Sequence, residues 1–391
     1  MKETSILLGA GFSVNKGYPT ANKLNQKLTE LKAEDFWVSS EGTVLLKKKT
    51  ERDPNDYLSD YIHKYFVVDL ISFYQKTEKS FNYEEFYDFF SGIDTNQKDT
   101  DFESFCNDFR EKYNLETNNS NLISRTRNIF SQLISLFIVD GDGKKFYDSI
   151  HYSKPFYPGY TGFLNCLESW GNEGITHIHT LNHDIFFETL SHSDWIKGNF
   201  SDGFEEMGSK YYGGLKGNLK VRLSYFTNRY TKQFRLYKLH GSFDQFPFHL
   251  QDSSIDTYVK MKLGMGTTEF YKEVEDVNGG YKYVNDWVNY HPDFLSGTTS
   301  KILRYGEPYY YNKVFANFKN NLSQSNKLIV VGYGCGDSEI NKMIKDNFNF
   351  DKNPVIIVDP YPNEQTKLFA KGFNGKIIEK TPNNLKIKDC E

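Results

Sequence analysis

Asn182, Asp184 and His240 are the residues of this chain whose type and setting best suit bond-breaking chemistry. Asn182-His183-Asp184 follows an apolar run at 175–181, and His240-Gly241-Ser242 follows another at 235–239. A carboxamide is both donor and acceptor, so Asn182 can hold a water or a sugar hydroxyl. Asp184, two positions on, can point into the same pocket; it is also the type that caps a helix, here over 185–190. His183 between them reads as facing away. Histidine titrates near neutrality and can serve as a base. The glycine after His240 would leave room for a ligand, although a lone histidine can equally be a packed ring. His177 and His179 alternate on a strand and read as packing or facing solvent.

Two glycine segments accompany these residues. Gly9-Ala10-Gly11-Phe12-Ser13 joins an apolar run to an amphipathic one, and Gly332-Tyr333-Gly334 leads to Asp337. Small residues let a backbone approach a pyrophosphate, and a following helix N-terminus favours negative charge. A tight strand-to-helix turn without a ligand is the alternative. The dehydrogenase fingerprint is incomplete. Val14 or Asn15 stands where its next glycine belongs, and no strand ending in an acid follows within about 20 residues. Hydride transfer is therefore a poor reading. Asp359, after the run at 354–358, is a weaker fifth candidate.

The elements that must carry these residues follow from periodicity. The stretches 5–8, 175–181, 235–239, 327–331, 354–358 and 376–378, short and rich in apolar and β-branched residues, read as strands. Ala21, Leu24, Leu28 and Leu31 place a helix over 20–31; further helices are expected over 312–322, 337–347 and 363–372. Strands alternating with helices predict an α/β fold built on a doubly wound, Rossmann-type parallel sheet, in which ligands bind beyond the carboxyl ends of the strands. All the segments above lie at such ends. Residues 1–49 and 156–391 would form this domain, with a loop-rich insertion of hairpins over about 245–300. Residues 50–155, with Leu58, Ile62, Tyr65, Phe66 and Phe73 on one helical face and Ile123, Phe130, Leu133, Phe137 and Ile138 on another, would form a helical insertion.

Composition narrows the function. The chain has 391 residues, of which 17% are aromatic, with 47 Lys and Arg against 51 Asp and Glu. Such a chain can bury an ample core, and its net charge of −4 gives no indication of direct nucleic-acid or anionic-membrane binding. Cys106, Cys166, Cys335 and Cys390 are scattered singly. No four-thiolate zinc site or disulfide framework is expected, no metal is implied, and the pattern suits a cytoplasmic location. No run approaches the roughly 20 residues of a membrane span, and the N-terminus has no apolar leader region.

Taken together, GAGFS at 9–13 with Gly17-Tyr18-Pro19, TLNHD at 180–184, KLHGS at 238–242 and VVGYGCGDSEIN at 330–341 resemble the sirtuin superfamily. More narrowly, they resemble the bacterial sirtuin-like NADases of anti-phage defence. The resemblance implies a sirtuin-type Rossmann domain in which Gly9–Ser13 hold the NAD+ phosphates and Asn182 and Asp184 bracket the nicotinamide ribose. His240 would be the catalytic histidine, flanked by Gly241 and Ser242. Gly332, Tyr333 and Asp337 would lie along the adenosine side, and Asp359 would touch the adenine ribose. Two departures separate the chain from protein-deacylating relatives: it has no zinc-binding cysteines, and Thr20-Ala21-Asn22 replaces their Asp-Phe-Arg. Both favour water over acetyl-lysine as acceptor.

The implied activity is hydrolysis of NAD+, as substrate, to nicotinamide and ADP-ribose in abortive infection. A protein deacylase and a non-catalytic NAD- or ADP-ribose-sensing subunit are the alternatives. The chain leaves no room for a sensor domain beyond its last strand, so control would come through the insertion, self-assembly or a partner, for which a HerA-like ATPase is the choice. Tyr61, Tyr65, Phe86, Phe90 and Phe137, counted as surplus rings on the insertion, lead to the expectation of a homo-oligomer.

Overall fold

The computed structural model describes residues 2–38, 44–46, 62–77, 80–91, 100–138, 159–190, 193–215, 219–250, 254–261, 270–286, 292–298 and 300–391. Strand β1 (Lys2–Leu8) runs into helices α1 (Ala10–Ser13) and α2 (Ala21–Thr29). Strands β2 (Phe36–Val38) and β3 (Val44–Leu46) then pair antiparallel, and four helices follow: α3 (His63–Thr77), α4 (Tyr83–Ser91), α5 (Thr100–Lys112) and α6 (Asn119–Ile138). Helix α7 (Thr161–Glu173) returns the chain to β4 (Gly174–Thr180) and α8 (Phe186–Leu190). Next come β5 (Phe200–Ser201), β6 (Gly203–Glu205), β7 (Tyr211–Leu215), β8 (Leu219–Arg222), β9 (Ser224–Arg229) and β10 (Phe234–Lys238). Strands β11 (Gln245–His249), β12 (Ile255–Lys260), β13 (Phe270–Glu275) and β14 (Tyr281–Asp286) precede helices α9 (Ser300–Arg304) and α10 (Tyr311–Gln324). The chain closes with β15 (Lys327–Val331), α11 (Ser338–Asn347), β16 (Val355–Val358), α12 (Glu364–Gly372) and β17 (Lys376–Ile378).

Seven of these strands form one parallel sheet in the order β17-β16-β15-β1-β4-β10-β5. Both faces are covered, which is why β15 beyond Lys327 and β16 read as continuous apolar runs. Ile6, Leu8, Ile178, Leu236, Ile329 and Val331 face α7 and α8, whereas Leu7, Tyr237, Leu328 and Val330 face α10, α11 and α12. Strand order reverses around β1, and the β1 and β15 ends lie side by side.

The region read as hairpins and loops over 245–300 is more ordered and wider than that reading. Two four-stranded antiparallel sheets, β11-β12-β9-β6 and β14-β13-β7-β8, recruit residues 203–229 as well as 245–286. Within the helical segment, Phe66, Phe86, Phe90 and Phe130 are fully buried and Phe137 nearly so. They pack ring on ring, with Phe86 5.0 Å from Phe90 and 5.4 Å from Phe130. Phe86, Phe90 and Phe137 are thus internal packing and give no reason for self-association. Tyr61, Leu58 and the expected boundaries at 50 and 155 lie outside the described residues. Strands β2 and β3, unforeseen in the sequence, join this core: the Val44 amide donates to Gln132 Oε1 of α6 at 2.9 Å.

The helical segment is fastened to the rest by a shared apolar core and by half-buried polar contacts. The Tyr83 amide donates to Asn25 Oδ1 of α2 at 2.9 Å. Asp88 Oδ2 accepts from the amide and hydroxyl of Thr298 at 2.7 and 2.8 Å. These ties set the first turn of α4 over the carboxyl ends of the sheet strands.

Gly332 has a φ of +62°, and a Cβ there would stand 2.3 Å from the Phe12 amide nitrogen. Gly332→Ala should therefore cost at least about 2 kcal/mol, from left-handed strain plus the displaced backbone. Gly334→Ala, where a Cβ meets nothing, should move the urea unfolding midpoint little. Equal midpoints for the two variants would contradict this packing.

Candidate active site

A cavity of about 820 Å³ opens beyond the carboxyl ends of β1, β4, β10 and β15. That size lies within the range of small-molecule sites. It brings together Asn182, Asp184 and His240 with Gly9, Ala10, Ser13, Tyr333 and Asp337.

The Asn182 carboxamide is fixed from two sides. Its Nδ2 donates to Gly9 O at 2.9 Å and to Ser13 Oγ at 3.1 Å. Both amide hydrogens are thereby spent. Oδ1 is left as the acceptor, with no protein partner among the described residues. Ser13 also bonds the Asp184 side chain. Asp184 Oδ1 accepts from the Phe186 amide at 2.9 Å, so it steadies the start of α8 and lines the cavity as well. Burial raises its pKa, opposed by the Lys238 ammonium and these two hydrogen bonds. Lys238 donates to the Asp184 main-chain carbonyl.

His240 is buried, and burial drives its pKa well below the usual histidine value, helped by the Lys301 ammonium and then by His183. The ring is therefore neutral at pH 7. Its Nε2 has no hydrogen bond; Asp337 Oδ2 is 3.9 Å away. His183 does not face away as expected. Its ring lines the cavity 6.3 Å from that of His240 and 4.6 Å from Phe294. Burial, then Lys238, lowers its pKa to about 3. The chain leaves extended geometry after Thr180, so strand alternation no longer decides where His183 points.

The glycines act differently from the sequence expectation. The Gly9 amide donates to Val331 O at 3.1 Å and the Gly11 amide to Gly332 O at 2.9 Å. A Cβ on Gly9 would lie 2.6 Å from Tyr333 Cα, and one on Gly11 would lie 2.9 Å from Gly332 Cα. These glycines let the β1 and β15 loops touch backbone to backbone, and their amides are not available to a pyrophosphate. Phe12 packs against Tyr160 and Phe163 in the core, 5.3 and 4.9 Å between ring centres. Gly241, at φ +76°, fits against Asp293 O and Tyr311 Oη, each 2.7 Å from a would-be Cβ, so protein rather than ligand fills that space. Ser242 Oγ donates to His183 O at 3.1 Å and clamps the two loops.

Asp337 caps α11, accepting from the Glu339 and Ile340 amides at 3.1 Å, and it lies beside His240 rather than at a remote adenosine end. Tyr333 Oη accepts from the Asp337 amide at 3.1 Å and donates to Asn341 Oδ1 at 3.0 Å. Gly11, Phe12, Gly241, Ser242 and Gly332 stand behind the cavity lining rather than in it. Asp359 is also outside the lining: Oδ1 accepts from the Tyr361 amide at 2.9 Å and Oδ2 from Thr366 Oγ1 at 3.4 Å. Asn363 and Gln365 line the cavity near that end instead.

The sequence reading missed the far wall. Asn82, Tyr83, Glu84 and Glu85 of the helical segment line the cavity, as does Lys301 of α9. Lys301 Nζ is 3.0 Å from Asp337 Oδ2 and 3.5 Å from Glu84 Oε2. Burial pulls its pKa down, but the two carboxylates outweigh it and the net shift is upward. Among the described residues no group of three or more His, Cys, Asp or Glu could hold a metal ion, and all four cysteines are free and buried.

Residues 176–378, just over half of the chain, match the family model described as the SIR2-like domain. The chain belongs to the SIR2-like family. No curated protein matches it significantly. Solved structures similar to this SIR2-like chain include "Structural Basis for the Mechanism and Regulation of Sir2 Enzymes", at 13% identity and a TM-score of 0.40, covering 100% of this chain and 90% of that one. Another is "Crystal structure of a Sir2 homolog–NAD complex", at 11% identity and a TM-score of 0.35, covering 100% and 88%. These overlaps are too loose to carry residue roles across, so the roles rest on the geometry above.

The buried neutral histidines make this SIR2-like fold acid-sensitive. The unfolded His183 takes up a proton near pH 6.5 and the folded one only near 3, so below 6.5 the unfolded state binds more protons and stability falls with falling pH. In His183→Gln the slope of unfolding free energy between pH 5.5 and 4 should be shallower by about 1.4 kcal/mol per pH unit. An unchanged slope in denaturant titrations would show that His183 is protonated in the native state.

Proposed function

We propose that this SIR2-like chain hydrolyses NAD+ to nicotinamide and ADP-ribose. The observation that carries the reading is the pairing, in one cavity, of a rigidly held Asn182 whose Oδ1 is open and a neutral His240 whose Nε2 has no hydrogen bond. The bond to nicotinamide is already activated, because a neutral pyridine leaves from a cation. The site needs chiefly to orient the ribose, stabilise an oxocarbenium-like carbon and place a nucleophile. Asn182 Oδ1 would accept from the attacking water or a ribose hydroxyl, and His240 Nε2 would take a proton.

Ala10 and Ser13 would face the dinucleotide from the β1 loop, and Asn363 and Gln365 from the opposite end. Water as acceptor is supported by Asn22. This position lines the cavity and carries a short amide where deacylating relatives, by the resemblance above, have arginine. By the same resemblance the activity would belong to anti-phage abortive infection, with a HerA-like ATPase as the partner that controls it; self-assembly is the other route of control.

Purified protein incubated with NAD+, alone and with candidate partners, should release ADP-ribose and nicotinamide without any acyl-peptide. Asn182→Ala and His240→Ala should each lower turnover by about 10²–10⁴ while circular dichroism shows the fold intact. O-acetyl-ADP-ribose formed only with an acetylated peptide would assign the chain to deacylation. Tight NAD+ binding without turnover in any assembly would make it a sensor.

A further inference from the structure

Lys301 is the buried cation that reaches the site from outside every motif of the sequence. Its ammonium and the His240 imidazole converge on one oxygen, Asp337 Oδ2, at 3.0 and 3.9 Å. Its other partner, Glu84 Oε2 at 3.5 Å, belongs to the helical segment. Asp337 is held in turn, its Oδ1 fixed by two amides of α11.

We propose that Lys301 is a positioning residue for the chemistry assigned above to His240, tying up Asp337 so that the carboxylate does not pair with the imidazole and Nε2 keeps no hydrogen bond. This rests on the NAD+ reading only for its consequence in turnover; the charge arrangement stands without it. The other groups facing His240 agree. His183, across the cavity, is itself neutral. Tyr305 lies parallel to the ring at 6.3 Å and is held protonated by burial and the nearby carboxylates. Asp293, beside Gly241, is engaged by Arg304 at 2.8 Å. Lys238, the last residue of β10, is spent on the Asp184 carbonyl and on Glu188. Asp337 is thus the one anion among the described residues within ion-pair reach of His240, and Lys301 holds it. Glu84 makes the arrangement depend on the helical segment, because α4 supplies the second carboxylate that keeps Lys301 charged when buried.

The test is a proton NMR titration of the His240 ring in the full chain, with histidine-selective labelling assigned through His240→Ala. In Lys301→Met the loss of the ammonium frees Asp337, and the His240 midpoint should rise by about one to three pH units. Lys301→Arg should give a midpoint below that of Lys301→Met. Glu84→Gln, which leaves Lys301 its closer partner Asp337, should raise the midpoint less than Lys301→Met does. If Lys301→Met fails to fold, Lys301→Gln, which keeps a donor beside Asp337 but carries no charge, takes its place and should raise the His240 midpoint in the same direction. Where NAD+ is turned over, the acid limb of the kcat/KM profile should move upward with the midpoint. An unmoved His240 midpoint on loss of Lys301 overturns the proposal, as does a rise in Glu84→Gln equal to that in Lys301→Met. The titration needs no turnover, so failure of the NAD+ reading leaves it standing. An unmoved midpoint with intact NAD+ cleavage removes Lys301 alone.

Discussion

The close backbone approach of the β1 and β15 loops is the constraint on which the rest depends. Gly9, Gly11 and Gly332 allow main chain to touch main chain where any side chain would intervene. Two consequences follow directly. The Gly9 carbonyl is placed where Asn182 Nδ2 reaches it, which orients the amide. Tyr333 and the turn behind it are placed so that Asp337 ends beside His240. The glycines work at one remove from the chemistry: they shape the wall, and residues of longer reach stand on it.

The second organising feature is that charge is concentrated under and beside the cavity but almost fully compensated. Lys260 Nζ lies 2.6 Å from Asp202, 3.7 Å from Glu188 and 3.8 Å from Asp244, and Lys238 lies 3.6 Å from Glu188. A buried ion left alone would cost several kcal/mol, so such groups persist only in mutual company. The histidines are the converse case, since burial without a committed anion keeps them uncharged. A site of this kind presents polar atoms without net charge at its reactive end, which suits a reaction whose positive charge belongs to the substrate.

Much of the sheet was legible in the sequence, because a strand buried on both faces is largely apolar, and 6–8, 328–331 and 355–358 are. Asn182 and His240 were legible because each lies two residues past a strand end. What escaped notice did so for identifiable reasons. Strands β6 to β9 carry tyrosine, lysine and glycine on half-exposed faces, which imitates a loop. The pair β2 and β3 is three residues long on each side. Lys301 sits in a five-residue helix with no pattern, and Glu84 reads as an ordinary first-turn acid; only the docking of α4 on the sheet brings them together. Gly11 and Gly241 were read as room for a ligand, yet the same absence of a side chain serves protein packing equally well. Composition alone does not distinguish the two.

The wall formed by Asn82, Tyr83, Glu84 and Glu85 is carried on an element separate from the strands that bear Asn182 and His240. It is fastened by the ties of Tyr83 to Asn25 and Asp88 to Thr298 and by an apolar core shared with α2, Phe243, Phe246 and Phe294. Wall and strand ends are therefore carried on different stretches of chain, yet Glu84 and Lys301 join them, so a change in the wall is felt at the strand ends as well. The sheet domain expressed without residues 63–138 would present an unwalled cleft, and its Lys301 would lack one of the two carboxylates that make its burial tolerable.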